Sequence, residues 1–134
     1  MAFSMQRLVP ANETKKGKRT WNWNMPDGKQ ITIYQRYRDE EFGNHFHKGG
    51  DPSKNPERFL LLNGIVYFWL EDKNGHRYTM VLDATDGPVE IMIRPYILHG
   101  ARALADCCFI EYRQSKFDPA HTDTYPEEIF RETH

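Results

Sequence analysis

Alternating apolar and polar positions dominate the middle of the chain. Ile31 and Ile33 fall on one side of this alternation and residues 32, 34, 36 and 38 on the other, which predicts a half-buried strand. Further strand-like segments rich in Leu, Val, Ile, Phe and Tyr cover residues 58–70, 78–82, 89–93 and 106–113. No helical period is sustained between residues 30 and 114, so the pattern predicts an all-β domain.

Turn signals separate these segments. Asn63-Gly64 and Asn74-Gly75 are typical of two-residue hairpin turns, and Asp86-Gly87-Pro88 predicts a further turn. Short strands joined by tight turns favour a sandwich or a barrel. We expect residue 99 to open one more strand, because Pro95 ends the strand before it.

A chain of 134 residues suits one domain, which we divide into an N-terminal arm (1–30), a barrel (31–114) and a C-terminal tail (115–134). The arm has a basic run, which we interpret as a solvated face; the alternatives are closure over an anionic ligand or packing on a second subunit. This run comprises Lys15, Lys16, Lys18 and Arg19. A turn or short helix in the tail would pack on the outside or the mouth of the barrel.

Charge and hydropathy argue against nucleic-acid binding and against a membrane span. A net charge of -1 offers no basic field for nucleic acid. The apolar run at 59–70 is broken by Asn63 and Gly64 and is too short to span a membrane. The N-terminus has no apolar block of signal-peptide length, so we expect a cytoplasmic protein with a small-molecule ligand.

Four residues form a candidate metal site. His45 and His47 are one residue apart, so on a strand their rings project to the same face. Glu57 opens an apolar strand, where its charge needs a cation, and His99 follows Pro95 after a short turn. Three nitrogen donors and one oxygen donor suit zinc, iron, nickel or manganese.

Other interpretations of these residues remain open. His45 and His47 could be two exposed histidines, and Glu57 could be satisfied by Arg58 or Lys54. The other histidines have no spacing partner and are not assigned to the site: His76, His121 and His134.

The ordered motifs resemble those of the cupin superfamily. Gly43-Asn44-His45-Phe46-His47, then Glu57 to Gly64, then Pro95 to His99 follow the two cupin motifs in order. The resemblance implies a double-stranded β-helix, which is a jelly-roll barrel. The chain has nine residues between His47 and Glu57 where the family usually has three or four, and Ala103 where the family often has asparagine.

A closer resemblance covers about residues 43–130. The motifs above and the tail segment 117–125 look like the C-terminal cupin domain of bifunctional capsular polysaccharide enzymes that epimerise and reduce a nucleotide-sugar. The resemblance implies a zinc ion and epimerisation of a 4-keto sugar nucleotide. The reductase domain of that family has no counterpart in this sequence.

Epimerisation next to a ketone requires an acid and a base, and a nucleotide-sugar carries a diphosphate. As acid and base candidates we take tyrosines on predicted strands and a lysine beside the metal motif: Tyr34, Tyr67, Tyr112 and Lys48. For the diphosphate we take arginines, because a guanidinium binds phosphate through paired hydrogen bonds: Arg36, Arg38 and Arg94. The alternatives are packing for the tyrosines and a solvated rim for the arginines.

Two rival functions fit the same residues. A non-haem iron dioxygenase would use the same ligands with Fe(II), and a non-catalytic module would use the metal to bind a ligand or to brace the barrel. Small barrels often dimerise through exposed edge strands, so we also expect a homodimer, and the arm could cross to the partner.

Overall fold

The computed structural model describes residues 2–15 and 18–132, so Lys16 of the basic run and His134 lie outside the described residues. Strands are the main regular secondary structure of the described chain, which also has one turn of 3-10 helix at Pro52–Lys54 and one short α-helix. The elements are β1 (Asn12–Glu13), β2 (Arg19–Asn24), β3 (Gln30–Arg36), β4 (Glu41–Phe46), β5 (Glu57–Asn63), β6 (Ile65–Glu71), β7 (Arg77–Asp83), β8 (Val89–Ile93), β9 (Leu98–Ala103), β10 (Cys107–Arg113), β11 (Tyr125–Pro126) and α1 (Glu127–Glu132).

Two antiparallel sheets form the barrel. The first has the strand order β1-β2-β3-β10-β5-β8 and the second the order β11-β4-β9-β6-β7. Strands that follow one another in sequence therefore often lie in different sheets, as in a jelly roll. The all-β jelly-roll prediction is confirmed.

The turn predicted at Asn63-Gly64 is present, but it is not a hairpin turn, because β5 belongs to the first sheet and β6 to the second. Gly64 has a φ of 92°, and a Cβ atom there would lie 2.4 Å from the carbonyl oxygen of Asp106. Only glycine fits so close an approach at a positive φ. The turn therefore fixes how far β5 runs before the chain crosses to β6.

One end of the barrel interior is an apolar core built from both sheets. Its buried residues include Leu61, Val66, Phe68, Leu82, Ile91 and Phe109. The alternation of β6 explains this core, because Val66 and Phe68 are buried while Ile65 and Tyr67 are only half-buried.

The other end of the interior has a polar lining, and β3 shows it most clearly. Thr32 and Arg36 are buried on the inner face of this strand, whereas Ile31 and Ile33 are half-buried on the outer face. The alternation predicted from the sequence is present, but the polar face is the inner one. A cavity occupies this end of the barrel, which is why hydrogen-bonding side chains can face inward.

The region predicted as an arm contributes to the first sheet. Residues 19–24 form β2, which pairs with β3 along its whole length, from Arg19 opposite Gln35 to Asn24 opposite Gln30. Thr20 and Asn22 line the cavity from this strand. The inward face of β2 is polar, so a search for apolar alternation does not mark this strand.

The tail packs on the barrel next to β4. Phe130 is buried against Phe46 and Leu98, and β11 pairs with the end of β4. The six-residue α1 is the short helix expected in the tail. Nowhere in residues 2–15 and 18–132 is a helix long and apolar enough to cross a membrane.

Candidate metal centre

The four predicted ligands come together at the inner face of the barrel. His45 lies at the end of β4 and His47 directly follows this strand. His99 pairs with His45 across β4 and β9, and Glu57 begins β5. One ligand atom from each residue lies within 4.8 Å of those of the other three. Because the register of β4 shifts at Asn44, which has a φ of 63°, His45 lies directly opposite His99.

Backbone contacts fix the orientation of two of the imidazole rings. The Nδ1 atom of His47 lies 2.6 Å from the carbonyl oxygen of Asp123, and that of His99 lies 2.9 Å from the carbonyl oxygen of Ile97. A carbonyl only accepts, so each Nδ1 carries the proton and donates it. In its metal-binding form, each ring then has a free lone pair on Nε2.

Both of these lone pairs face the same carboxylate oxygen. Nε2 of His47 and Nε2 of His99 each lie 3.2 Å from Oε1 of Glu57. Nε2 of His99 has no partner with hydrogen-bond geometry in the described part of the chain. Lone pairs that converge on a carboxylate oxygen need a cation between them, so these residues fit a bound metal ion.

The charge state of the other two residues agrees with this interpretation. Burial, followed by the neighbouring His99 and His47 rings, lowers the pKa of His45 to about 3, so this ring is neutral near pH 7. Burial alone would raise the pKa of Glu57, but in the metal-free site it is held well below its usual range by hydrogen bonds from Nε2 of His47 and His99, when these atoms carry a proton, and by the charge of Lys54. Neutral imidazoles and an ionised carboxylate are the metal-binding forms, and this set suits a divalent ion.

A buried ion-pair network continues from Glu57. Lys54 Nζ lies 2.5 Å from Oε2 of Glu57 and 2.6 Å from Oε2 of Glu111. The hydroxyl of Tyr34 donates to Oε1 of Glu111 at 2.9 Å. Burial and the charge of Glu57 raise the pKa of Glu111 to about 7, and burial together with Glu111 raises that of Tyr34 well above its usual range.

The metal ligands and this network line one cavity of about 500 Å³, a volume that suits a small ligand. Phenylalanines and neutral polar side chains of the first sheet also line this cavity, the polar ones being Asn12, Thr20, Asn22 and Thr32. Neutral amides and hydroxyls such as these can bind a hydroxyl-rich ligand through hydrogen bonds.

Two of the other predicted site residues lie in this cavity. Tyr34 lines it beside Glu111, and Arg36 lines it at the β2 side. The guanidinium of Arg36 donates to the carbonyl oxygen of Arg19 and to the hydroxyl of Thr20. Its buried Nε atom has no partner among the described residues.

The remaining predicted residues do not line the cavity. Lys48 is exposed, with Nζ 4.3 Å from the centre of the Tyr125 ring. Tyr112 is 46% exposed on β10, and Tyr67 is half-buried beside Trp69 on β6. The two other arginines, Arg38 and Arg94, are exposed.

Three residues of the site were not assigned a role from the sequence: Lys54, Glu111 and Asp123. Glu111 had a usable signal, because alternation along β10 puts it on the same face as Phe109. Lys54 was weighed only as a partner for Glu57. Asp123 lies in the tail segment that carried the closer resemblance, but its contacts depend on the folding of that tail.

No family model and no curated protein matches the chain. Among solved structures, the crystal structure of the capsular polysaccharide assembling protein CapF from Staphylococcus aureus is similar, with a TM-score of 0.74 and 21% identity over 91% of this chain. Lactobacillus farciminis oxalate decarboxylase in a formate complex has a TM-score of 0.64 at 14% identity over 98% of this chain. The coconut allergen cocosin has a TM-score of 0.60 at 13% identity over 83% of it.

The chain spans 33% of the CapF chain, 42% of the oxalate decarboxylase chain and 31% of the cocosin chain. At these identities the likeness concerns the fold alone. The arrangement of the two sheets agrees with that likeness along nearly the whole chain.

Proposed function

We propose that this chain, which has the cupin fold, is a metal-dependent epimerase or isomerase that acts on a nucleotide-sugar or a related carbohydrate by enolisation next to a ketone. One observation carries the proposal: the four convergent ligands and the Tyr34–Glu111 pair share one cavity. Zinc is the proposed metal, since the donor set suits it and enolisation needs no redox change.

The proposed chemistry divides between the metal site and the chain's own side chains. A divalent ion held by His45, His47, Glu57 and His99 would supply Lewis-acid polarisation of the ketone. Tyr34 is the proposed proton donor, because its hydroxyl lines the cavity and is oriented by Glu111. Glu111, which lines the same cavity, is the proposed base that removes the proton from the carbon next to the ketone, and Tyr34 then gives its own proton to that carbon. Transfer of the captured proton from Glu111 to Tyr34 through their hydrogen bond would restore both groups.

Substrate binding is proposed for the β2 side of the cavity. Arg36 is the proposed contact for a phosphate group, and the neutral polar side chains beside it are the proposed contacts for sugar hydroxyls. Roles for the other candidates stay predictions from the sequence, and their positions outside the cavity rank them below Tyr34 and Arg36. These candidates are Lys48, Tyr67, Tyr112, Arg38 and Arg94.

Solvent exchange tests the proposal directly. Zinc-loaded protein in D₂O is incubated with a panel of 4-keto sugar nucleotides, and NMR should detect deuterium at the carbon next to the ketone. Tyr34→Phe should slow this exchange by about 100-fold or more, because it removes the proton donor. The matched control is Tyr78→Phe, a change at an exposed tyrosine outside the cavity.

Absence of exchange across the panel with fully metal-loaded protein would overturn the epimerase proposal. Binding of a carbohydrate without exchange would then favour a non-catalytic ligand-binding module.

An iron dioxygenase is the second candidate, because three histidines and one carboxylate also suit Fe(II). Elemental analysis of protein purified without added metal separates the two candidates. Iron together with oxygen uptake would favour the dioxygenase, whereas zinc without oxygen uptake favours the epimerase.

We also propose a homodimer, in which two copies of the chain contact each other through the outer face of the first sheet. Trp21, Ile33, Ile110 and Leu60 form a half-buried apolar row across β2, β3, β10 and β5. A second copy would cover this row, and sedimentation equilibrium should therefore give twice the chain mass. The cytoplasmic location stays a prediction from the sequence.

A further inference from the structure

The long segment between His47 and Glu57 is firmly anchored at its start. The carboxylate of Asp123 accepts hydrogen bonds from the backbone N–H groups of Lys48, Gly49 and Asp51 at 2.9, 2.9 and 3.1 Å. This segment is the part of the chain that departs from the usual cupin spacing. It is held as an ordered part of the site by a residue of the tail.

The second half of the segment between His47 and Glu57 positions a lysine in the cavity. Asp51 caps the 3-10 turn Pro52–Lys54 by accepting from the N–H of Ser53, and it is itself paired with Arg113 at 2.7 Å. As a result Lys54 projects inward, where its side chain is only 12% exposed. The additional residues therefore place a cation next to a metal ligand.

The two oxygens of Glu57 have different partners. Oε2 lies 2.5 Å from the ammonium of Lys54, whereas Oε1 lies 3.2 Å from Nε2 of His47 and of His99. A carboxylate can bind a metal through one oxygen or through both. With Oε2 engaged by Lys54, only Oε1 faces the imidazole nitrogens.

A second carboxylate holds Lys54 in this position. Glu111 contacts the same ammonium at 2.6 Å from the other side, and Tyr34 in turn donates to Glu111. Glu57 and Glu111 are buried, so movement of the Lys54 ammonium away from them would leave carboxylates in the interior without a cation. Lys54 is thus the link between Glu57 and the pair proposed to move the proton.

We propose that Lys54 is a positioning residue that keeps Glu57 a one-oxygen metal ligand and so preserves an open position on the metal for a substrate oxygen. Three histidines and one oxygen of Glu57 make four protein donors, and zinc can expand from four ligands to five, so the position kept open is the fifth. A second bound oxygen of Glu57 would fill it. The inference rests on the metal site of the proposed function but on neither its substrate nor its reaction.

Cobalt(II) loaded in place of zinc provides the test, because its visible absorption weakens as the coordination number rises. In Lys54→Met, both oxygens of Glu57 become free to bind. We therefore expect weaker visible bands than in the wild type, with a cobalt affinity that does not fall, since a positive charge near the ion is removed. Lys54→Arg should restore the bands, because it returns a cation to Oε2.

The matched control is Lys73→Met, which removes an exposed lysine and should leave both the bands and the affinity unchanged. A purely structural role for Lys54 predicts the opposite result, namely a loss of affinity with bands of unchanged intensity. That result, or a Lys54→Met spectrum identical to the wild type, would overturn the proposal.

Wild-type protein offers a test that does not depend on the folding of a variant. A crystal structure of the zinc-loaded protein should show one oxygen of Glu57 at about 2.0–2.2 Å from the zinc and the other on Lys54. Two bound oxygens would overturn the proposal. Neither test uses a substrate, so a failure of the deuterium-exchange experiment would leave both results interpretable.

Discussion

The two ends of the barrel interior are built from the same strands but have opposite character. At one end, Leu61, Val66 and Phe68 pack into an apolar core. At the other end, the strands carry metal ligands and buried charges around a cavity. On β10 the change happens within two residues, since Phe109 packs in the core and Glu111 faces Lys54.

This contrast shows how one barrel can contain buried charges that cost free energy and still be stable. Burial of ionised groups costs free energy unless partners compensate, and at the cavity end Glu57 and Glu111 share the ammonium of Lys54, while Tyr34 also donates to Glu111. The apolar end supplies stability through hydrophobic burial. We therefore expect mutations at the apolar end to change mainly the stability and mutations at the cavity end to change mainly metal binding.

The largest effect is expected at the cavity end, from His99→Ala. Loss of this ligand should weaken metal binding by more than about 100-fold, as measured by competition with a chromophoric chelator. The unfolding free energy of the metal-free protein should change by about 1 kcal/mol or less, because the ring borders an existing cavity. His76→Ala is the control, since His76 is exposed on a turn. Full metal content in His99→Ala would show that His99 is not a metal ligand.

A core change at the apolar end should give the reverse result. Leu61→Ala should lower the unfolding free energy by about 2–5 kcal/mol in urea denaturation, because Leu61 is 3% exposed and its loss leaves a void. Metal affinity per folded molecule should stay within about threefold of the wild type. Leu104→Ala, at a leucine that is 41% exposed, is the matched control and should change stability by about 0.5 kcal/mol or less. Equal losses in the two leucine variants would contradict the division of the interior.

The smallest effect is expected at the contact between the tail and the cavity end. Asp123→Asn leaves only one acceptor oxygen for the N–H groups that the carboxylate now binds, so the segment after His47 should loosen. We expect metal affinity to fall about tenfold by calorimetry. Asp118→Asn is the control, because Asp118 is exposed and its partner His121 lies in the tail. If Asp123→Asn bound metal with the affinity of the wild type, Asp123 would have no role in holding the metal site.

The sequence predicts much of this fold, and local signals explain why. The strand expected at 89–93 is β8, and Asn63-Gly64 marks the crossing from β5 to β6. Both depend on alternation and turn chemistry, which act over a few residues. The convergence of His45, His47 and His99 with Glu57 was also anticipated, because each of them lies at a recognisable point of a strand or turn.

The features that were missed depend on distant contacts. Arg19 to Asn24 did not stand out as a strand, because the inward face of β2 is polar. Lys54 meets Glu111 across 57 positions of sequence, and Tyr34 meets Glu111 across 77. Such pairs become visible only after the sheets are assembled, since either partner alone has the appearance of a solvated charge or a packing tyrosine.

The carbonyl oxygen of Asp123 has a practical consequence for protein engineering. A shortened chain that ends before the tail would keep all four metal ligands and the whole of both large sheets apart from β11. It would nevertheless lose the acceptor that sets which nitrogen of His47 is protonated. Designers who graft this barrel as a compact metal-binding scaffold should therefore carry the tail with it, as part of the coordination chemistry.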